Sequence, residues 1–140
     1  MPHYPDMTTY VYDTSDQEML NVGWLPPDCA YRTGIVDDRV IEAMKALSSA
    51  YDNQTRGVHD CEFCSTERPV ILGGPAFDTQ VWLGSAEIRA QDTDGTVYSA
   101  PNLVIHYITE HRYCPPAEFC RAVVRTAGME DGPDELVLAD

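Results

Sequence analysis

A Cys-x-x-Cys pair, Cys61 and Cys64, lies inside a polar, turn-rich stretch running from Asn53 to Arg68. That stretch has too few apolar side chains to be ordered by burial, so a fold that includes it needs another source of order. Two thiolates on a tight turn approach a single tetrahedral ion, and zinc favours a mixed sulfur and nitrogen set. His59, two residues ahead of Cys61 in Arg56-Gly57-Val58-His59-Asp60-Cys61, reaches the same point from an extended lead-in. A thioredoxin-type redox pair wants a strand-to-helix junction in a βαβ unit, and the polar flanks here provide none.

The remaining ligands are sought downstream. His106 and His111 fall on a helix expected from about Asn102 to Arg112, opened by Pro101. Five residues separate them, about 140° on a regular helix, so both reach one ion only if the helix breaks before His111. On the same wheel His111 falls within the apolar arc of Leu103, Val104, Tyr107 and Ile108, and His106 at its polar edge. The spacing excludes the helical metalloprotease motif, whose histidines are four apart. His59-Asp60-Cys61 lacks the Glu and Pro of the nucleic-acid deaminases. A two-Cys, two-His DNA-binding finger places about 12 residues between its ligand pairs, far fewer than lie between Cys64 and His106. Glu110 and Glu87 are candidates to hold a ligating imidazole from behind.

Five cysteines is an odd number, and no signal-like segment opens the sequence, so a disulfide framework is not expected. Cys120 shares a helix arc with Phe119, Val123 and Ala127 and reads as a core thiol. A four-cysteine site joining Cys114 and Cys120 to the pair is the lesser alternative, and Cys29 has no evident partner.

The rest reads as one α+β domain over residues 1–140, with ends at about 1–9 and 129–140 expected to fray. Val40, Met44, Leu47 and Tyr51 recur at helical spacing, giving a helix from about Asp38 to Tyr51 capped by Asp37. Tyr10-Val11-Tyr12 and Leu20 to Leu25 read as short strands, as does Pro69 to Leu72. Val81–Ala90 and Thr96–Ser99 read as a hairpin turning at Asp92-Thr93-Asp94-Gly95, with Ile88 and Ala90 inward and Glu87 and Arg89 outward. Pro115-Pro116 open a last helix ending at Gly128. The tail carries five acids and reads as solvated, with Leu136-Val137-Leu138 as an alternative edge strand. A small, mostly antiparallel sheet against two or three helices follows, with a core of Trp24, Val40, Met44, Leu47, Ile88, Val97, Val104, Ile108, Phe119 and Val123. Within it a zinc site ties the Cys-x-x-Cys loop to the helix near Asn102.

Charge narrows the function. Nine basic residues against 23 acidic ones give a net charge of −14, which repels a phosphate backbone or an anionic membrane surface. No apolar run approaches the roughly 18 residues of a spanning helix. A cytoplasmic protein without nucleic-acid or membrane partners is expected, and its acidic surface suits a basic protein partner.

The run Arg-Gly-x-His-x-Cys-x-x-Cys, followed by Ala100-Pro101-Asn102-Leu103-x-x-His106-Tyr107-x-x-x-His111-x-Tyr113-x-Pro115-Pro116, resembles a group of small uncharacterised bacterial proteins. The resemblance covers about residues 20–124 and includes the Leu20–Leu25 strand. It implies that His59, Cys61, Cys64, His106 and His111 belong to one shared pattern, and it brings no activity with it. Two functions are therefore open. A closed sphere of two cysteines and two of the three histidines around Zn2+ makes an interaction or regulatory module, the preferred reading. Three ligands and an open position for water make a hydrolytic or lyase-type zinc enzyme, with Glu62, Glu87 or Glu110 as general base.

Overall fold

The computed structural model describes residues 5–9, 18–25, 30–51, 61–64, 69–129 and 136–139. The strands are β1 (Met19–Asn21), β2 (Gly34–Val36), β3 (Val70–Gly73), β4 (Thr79–Trp82), β5 (Glu87–Gln91), β6 (Val97–Pro101) and β7 (Val137–Ala139). The helices are α1 (Asp38–Ser48), α2 (Val104–His111) and α3 (Ala117–Thr126). The class is α+β. Among the described residues the expected single sheet is instead three small ones: β1-β6-β5, β2-β7 and β3-β4. All pairings are antiparallel except β1 with β6.

The helices follow local chemistry. The Asp37 carboxylate accepts the Arg39 backbone N–H at 2.9 Å and caps α1, while Asp38 in the first turn and Lys45 in the last complement its dipole. Val40, Ala43 and Met44 are buried along it; Leu47, expected in the core, is only half-buried at its rim. α2 stops where Arg112 turns left-handed at φ 56°. Cys114-Pro115-Pro116 then separates it from α3, whose Phe119, Cys120, Ala122, Val123 and Val124 are buried. α3 packs against β5, β6 and α1, and α1 also meets α2. Ile88, Ala90, Tyr98 and Ala100 present the inner face of the sheet to them.

Two expectations about the hairpin need correction. The apolar run from Val81 to Ala90 is two strands in different sheets. Gly84, at φ 111°, bends the chain, and the buried Asn102 side chain accepts its N–H at 2.7 Å. Val81 therefore pairs with Ile71 in β3, and Ile88 with Ala100 in β6. Glu87 does not face solvent but is only 3% exposed. The Ser99 hydroxyl donates to its carboxylate at 2.8 Å and Arg89 lies at 3.1 Å, which offsets the cost of burying the charge. The outer face of this sheet is covered: the Asn21 side chain donates to Thr8 and Thr9.

Segment 5–9, placed by the sequence at a fraying end, hydrogen-bonds β1 through Met7 and Thr8. The Asp6 carboxylate accepts from the Gly23 N–H and from the Tyr113 hydroxyl. The described part of the tail, residues 136–139, takes the alternative form, with β7 pairing β2 in the register Ile35 to Leu138. Tyr10-Val11-Tyr12 lies outside the described residues.

The β5–β6 turn is built around Asp92. Its side chain caps the Thr93 N–H at 2.8 Å, and Arg121 of α3 meets it at 2.7 Å. The Arg121 hydrogen bonds hold the Asp92 carboxyl below its ordinary range, more than burial raises it. A depressed carboxyl stabilises the fold fully above the unfolded value near pH 4, and the contribution drains as pH falls through the lower folded value. Asp92→Asn is expected to cost about 1.5–3 kcal/mol at pH 7. It should also flatten the acid limb of stability in urea unfolding between about pH 5 and 2. An unchanged acid limb would show that this pair carries no pH dependence.

Candidate metal centre

The two halves of the expected site come from different parts of the chain, and the backbone around α2 explains how they meet. The segment before β2 runs beside the end of α2, with Thr33 bridging Tyr113. Gly34 and Cys114 donate backbone hydrogen bonds to Arg112 and Arg32. The Tyr31 hydroxyl donates to the His111 carbonyl at 2.9 Å, fixing the last turn of α2. Against this frame sits the Cys61–Cys64 turn, anchored by the residue between its sulfurs. Phe63 meets Tyr31 with ring centroids 5.2 Å apart, Tyr107 at 5.5 Å and His111 at 5.6 Å. Its backbone N–H also points at Cys61 Sγ, 3.4 Å away.

The result is a convergent set of four donors. Cys61 Sγ lies 3.2 Å from His111 Nε2, and Cys64 Sγ 3.4 Å from His106 Nε2. One donor atom from each of the four residues falls within 4.8 Å of all the others. Zinc bond lengths of about 2.3 Å to sulfur and 2.0–2.1 Å to nitrogen, at tetrahedral angles, put a sulfur and a nitrogen about 3.5 Å apart. The observed edges are close to that, so the donor set fits an ion of this size and can hold a metal. Both sulfur–imidazole distances are also within reach of a thiol–imidazole hydrogen bond.

Cys61 and His106 are buried, whereas Cys64 is exposed. Burial, above all, pushes the Cys61 thiol up; the Phe63 N–H works against this, and neighbouring Cys64 adds to it. Tyr107, buried beside Cys61 and Glu62, is pushed up for the same reasons, burial first. A thiol must lose its proton to ligate a metal, so a cation taken up here would release protons.

The helical-wheel argument is corrected on two points. α2 continues through His111 without a break, yet both imidazoles reach the cluster. Each uses Nε2, the ring nitrogen farthest from the backbone, and the Cys turn lies where the two rings converge, their centroids 5.1 Å apart. The burial order is also reversed. Every residue from Val104 to Ile108 is buried, so α2 has no polar edge at His106, and His111 is the half-exposed member at the helix end. His59 lies outside the described residues. Cys114 and Cys120 are fully buried and take no part in the cluster. Burial, with a smaller push from Cys114, raises the Cys120 thiol, as a core position would. Of the carboxylates proposed to back the histidines, Glu110 is exposed and Glu87 bonds Ser99 and Arg89. The aromatic box around Phe63 escaped the sequence reading. Its one signal was an aromatic residue between two cysteines in an otherwise polar turn.

No curated protein and no solved structure matches the chain. A family model does, over residues 2–124, a span that contains all four converging ligands. The chain belongs to that family, whose description is "domain of unknown function (DUF7919)".

Proposed function

We propose that Cys61, Cys64, His106 and His111 hold one Zn2+ as a structural ion, and that the protein is a metal-stabilised interaction or regulatory module. The observation that carries this reading is the convergence of four protein donors on one point. Four such ligands close a tetrahedron and leave no position for a reacting water, which is how structural zinc differs from catalytic zinc. Two thiolates neutralise the dication, and neutral imidazoles complete the sphere without excess charge. Softness and geometry favour zinc over magnesium or calcium, which prefer oxygen donors. A hydrolytic or lyase-type enzyme would instead need an open position with a carboxylate beside it. Glu62 and Glu110 are exposed, and Glu87 is engaged by Ser99 and Arg89.

The partner class follows from charge and from one exposed face. With a net charge of −14, the surface attracts a basic protein and speeds its encounter at low salt. Val70, Leu72 and Trp82 are between 41% and 61% exposed. The β3–β4 register places them together, Val70 opposite Trp82. Exposed apolar clusters of this kind commonly mark contact sites. The reading is tested by capture from the native host's lysate at low and high salt, with nuclease treatment, using the wild type and Trp82→Ser. A specific basic protein should be retained at low salt, released at high salt, and retained several-fold less by the variant. Nucleic acid surviving moderate salt, or no protein at any salt, would overturn it.

A further inference from the structure

We propose that the Cys61–Cys64 pair is a hydroperoxide-sensitive latch on the metal: oxidation to a disulfide removes both sulfur donors and frees the ion. The proposal rests on the metal reading above and concerns how that same site is regulated. Three features of the site carry it.

The first is the division of exposure within the pair. Cys64 is the more exposed thiol of the pair, and Cys61 is buried. A small oxidant therefore meets one sulfur, and the second waits within reach as the resolving thiol. The donor atoms of both lie inside the same 4.8 Å envelope. Forming a disulfide requires the sulfurs to close to about 2.05 Å, a short movement for a side chain on an exposed turn. The second feature is an anchor for the buried sulfur. Cys61 Sγ is held by the Phe63 N–H at 3.4 Å, and Phe63 is fixed between Tyr31 and Tyr107. Cys64 Sγ meets His106 Nε2 at 3.4 Å, and closing on Cys61 exchanges that contact for the S–S bond. The third is selectivity. Among the described residues the other cysteines, Cys114 and Cys120, are 0% exposed, so of these four thiols an aqueous oxidant meets this pair first.

The chemistry balances with one hydroperoxide. Cys64 Sγ attacks the peroxide O–O bond; a sulfur–oxygen bond forms, the O–O bond breaks, and the leaving hydroxide takes a proton to become water (from an organic hydroperoxide, the leaving alkoxide becomes an alcohol). Cys61 Sγ then attacks the Cys64 sulfur. The S–S bond forms, the S–O bond breaks, and the departing hydroxide takes a second proton to become water. Two thiolates have lost two electrons, and the peroxide has gained them. Among the described residues the cluster now offers only His106 and His111, too few donors to retain zinc against the solvent. A dithiol reverses the reaction by thiol–disulfide exchange, being oxidised to its own disulfide as Cys61 and Cys64 regain their thiols.

The test uses the full chain, reduced, loaded with one equivalent of zinc and treated with hydrogen peroxide in the presence of a zinc-sensing dye. Zinc release should run in step with the loss of two titratable thiols and a mass loss of about 2 Da. Apparent zinc affinity should fall at least about 100-fold, and dithiothreitol should restore both thiols and binding. In Cys64→Ala the 2 Da loss should vanish. Oxidation appearing first at Cys114 or Cys120 would overturn the proposal, as would zinc retained after the pair is oxidised. So would direct over-oxidation without a disulfide. Failure of the reduced protein to bind zinc before any peroxide is added would overturn the metal reading instead, and the latch with it.

Discussion

Stripping the proposed zinc with a chelator is expected to lower the melting temperature by more than about 10 °C and to open Cys61 and Cys64 to thiol reagents. A ligand that binds only the folded state stabilises it by RT ln(1 + [L]/Kd), about 4 kcal/mol at a thousandfold excess over Kd. For a domain of this size each kcal/mol shifts the melting temperature by about 3–5 °C. Two physical facts set the size of the effect. The Cys61–Cys64 turn is held to α2 by its sulfur–imidazole contacts and the Phe63 ring. Once the ion is gone, thiol–imidazole hydrogen bonds worth about 1 kcal/mol each replace coordinate bonds. The body of the fold has its own core in Val40, Ile88, Val104, Phe119 and their neighbours, so the protein should melt earlier rather than unfold outright. Cys114 and Cys120 should stay protected while the pair reacts. Unchanged melting after verified metal removal would show that the ion does not hold the structure.

The second large effect is expected from Gly23→Ala, which should cost about 3 kcal/mol or more in urea unfolding. Gly23 has φ +78°, a conformation that disfavours any side chain by about 1–2 kcal/mol. A Cβ there would also stand 2.7 Å from Val104 Cγ2, a fully buried atom group at the start of α2. Crowding of a packed interior adds about 1–3 kcal/mol. Gly95→Ala isolates the first contribution. Gly95 has φ +90° but nothing within 4 Å, so that variant should lose only about 1 kcal/mol. Equal losses at the two positions would show that the Val104 contact contributes nothing. Because Val104 opens the helix that carries both histidines, Gly23→Ala should also weaken metal binding, whereas Gly95→Ala should not.

Local chemistry made part of this structure legible in the sequence. The Asp37 cap, the apolar spacing of α1, the Asp92–Gly95 turn and the paired prolines before α3 each act over a few residues, and each gives the expected element. The Cys-x-x-Cys pair was legible for a similar reason, since so polar a stretch needs an external source of order. What could not be read depends on distant partners. The bend at Gly84 is held by Asn102, 18 positions along. Glu87 is buried because Ser99 of the neighbouring strand donates to it. β1 pairs β6 in parallel across most of the chain, a connection no short-range pattern encodes. The two histidines show the limit of a helical wheel most clearly. The wheel gives directions from the axis, but not how far Nε2 reaches or which other element covers the helix, and those decided the site.

The central claim is one structural zinc on Cys61, Cys64, His106 and His111. Elemental analysis of tag-free protein tests it most directly, with Cys61→Ser prepared in parallel. The account predicts about one zinc per chain in the wild type and a large loss in the variant, because a serine hydroxyl is a poor replacement for a thiolate on zinc. A metal content near zero in the wild type, unchanged by Cys61→Ser, would contradict it.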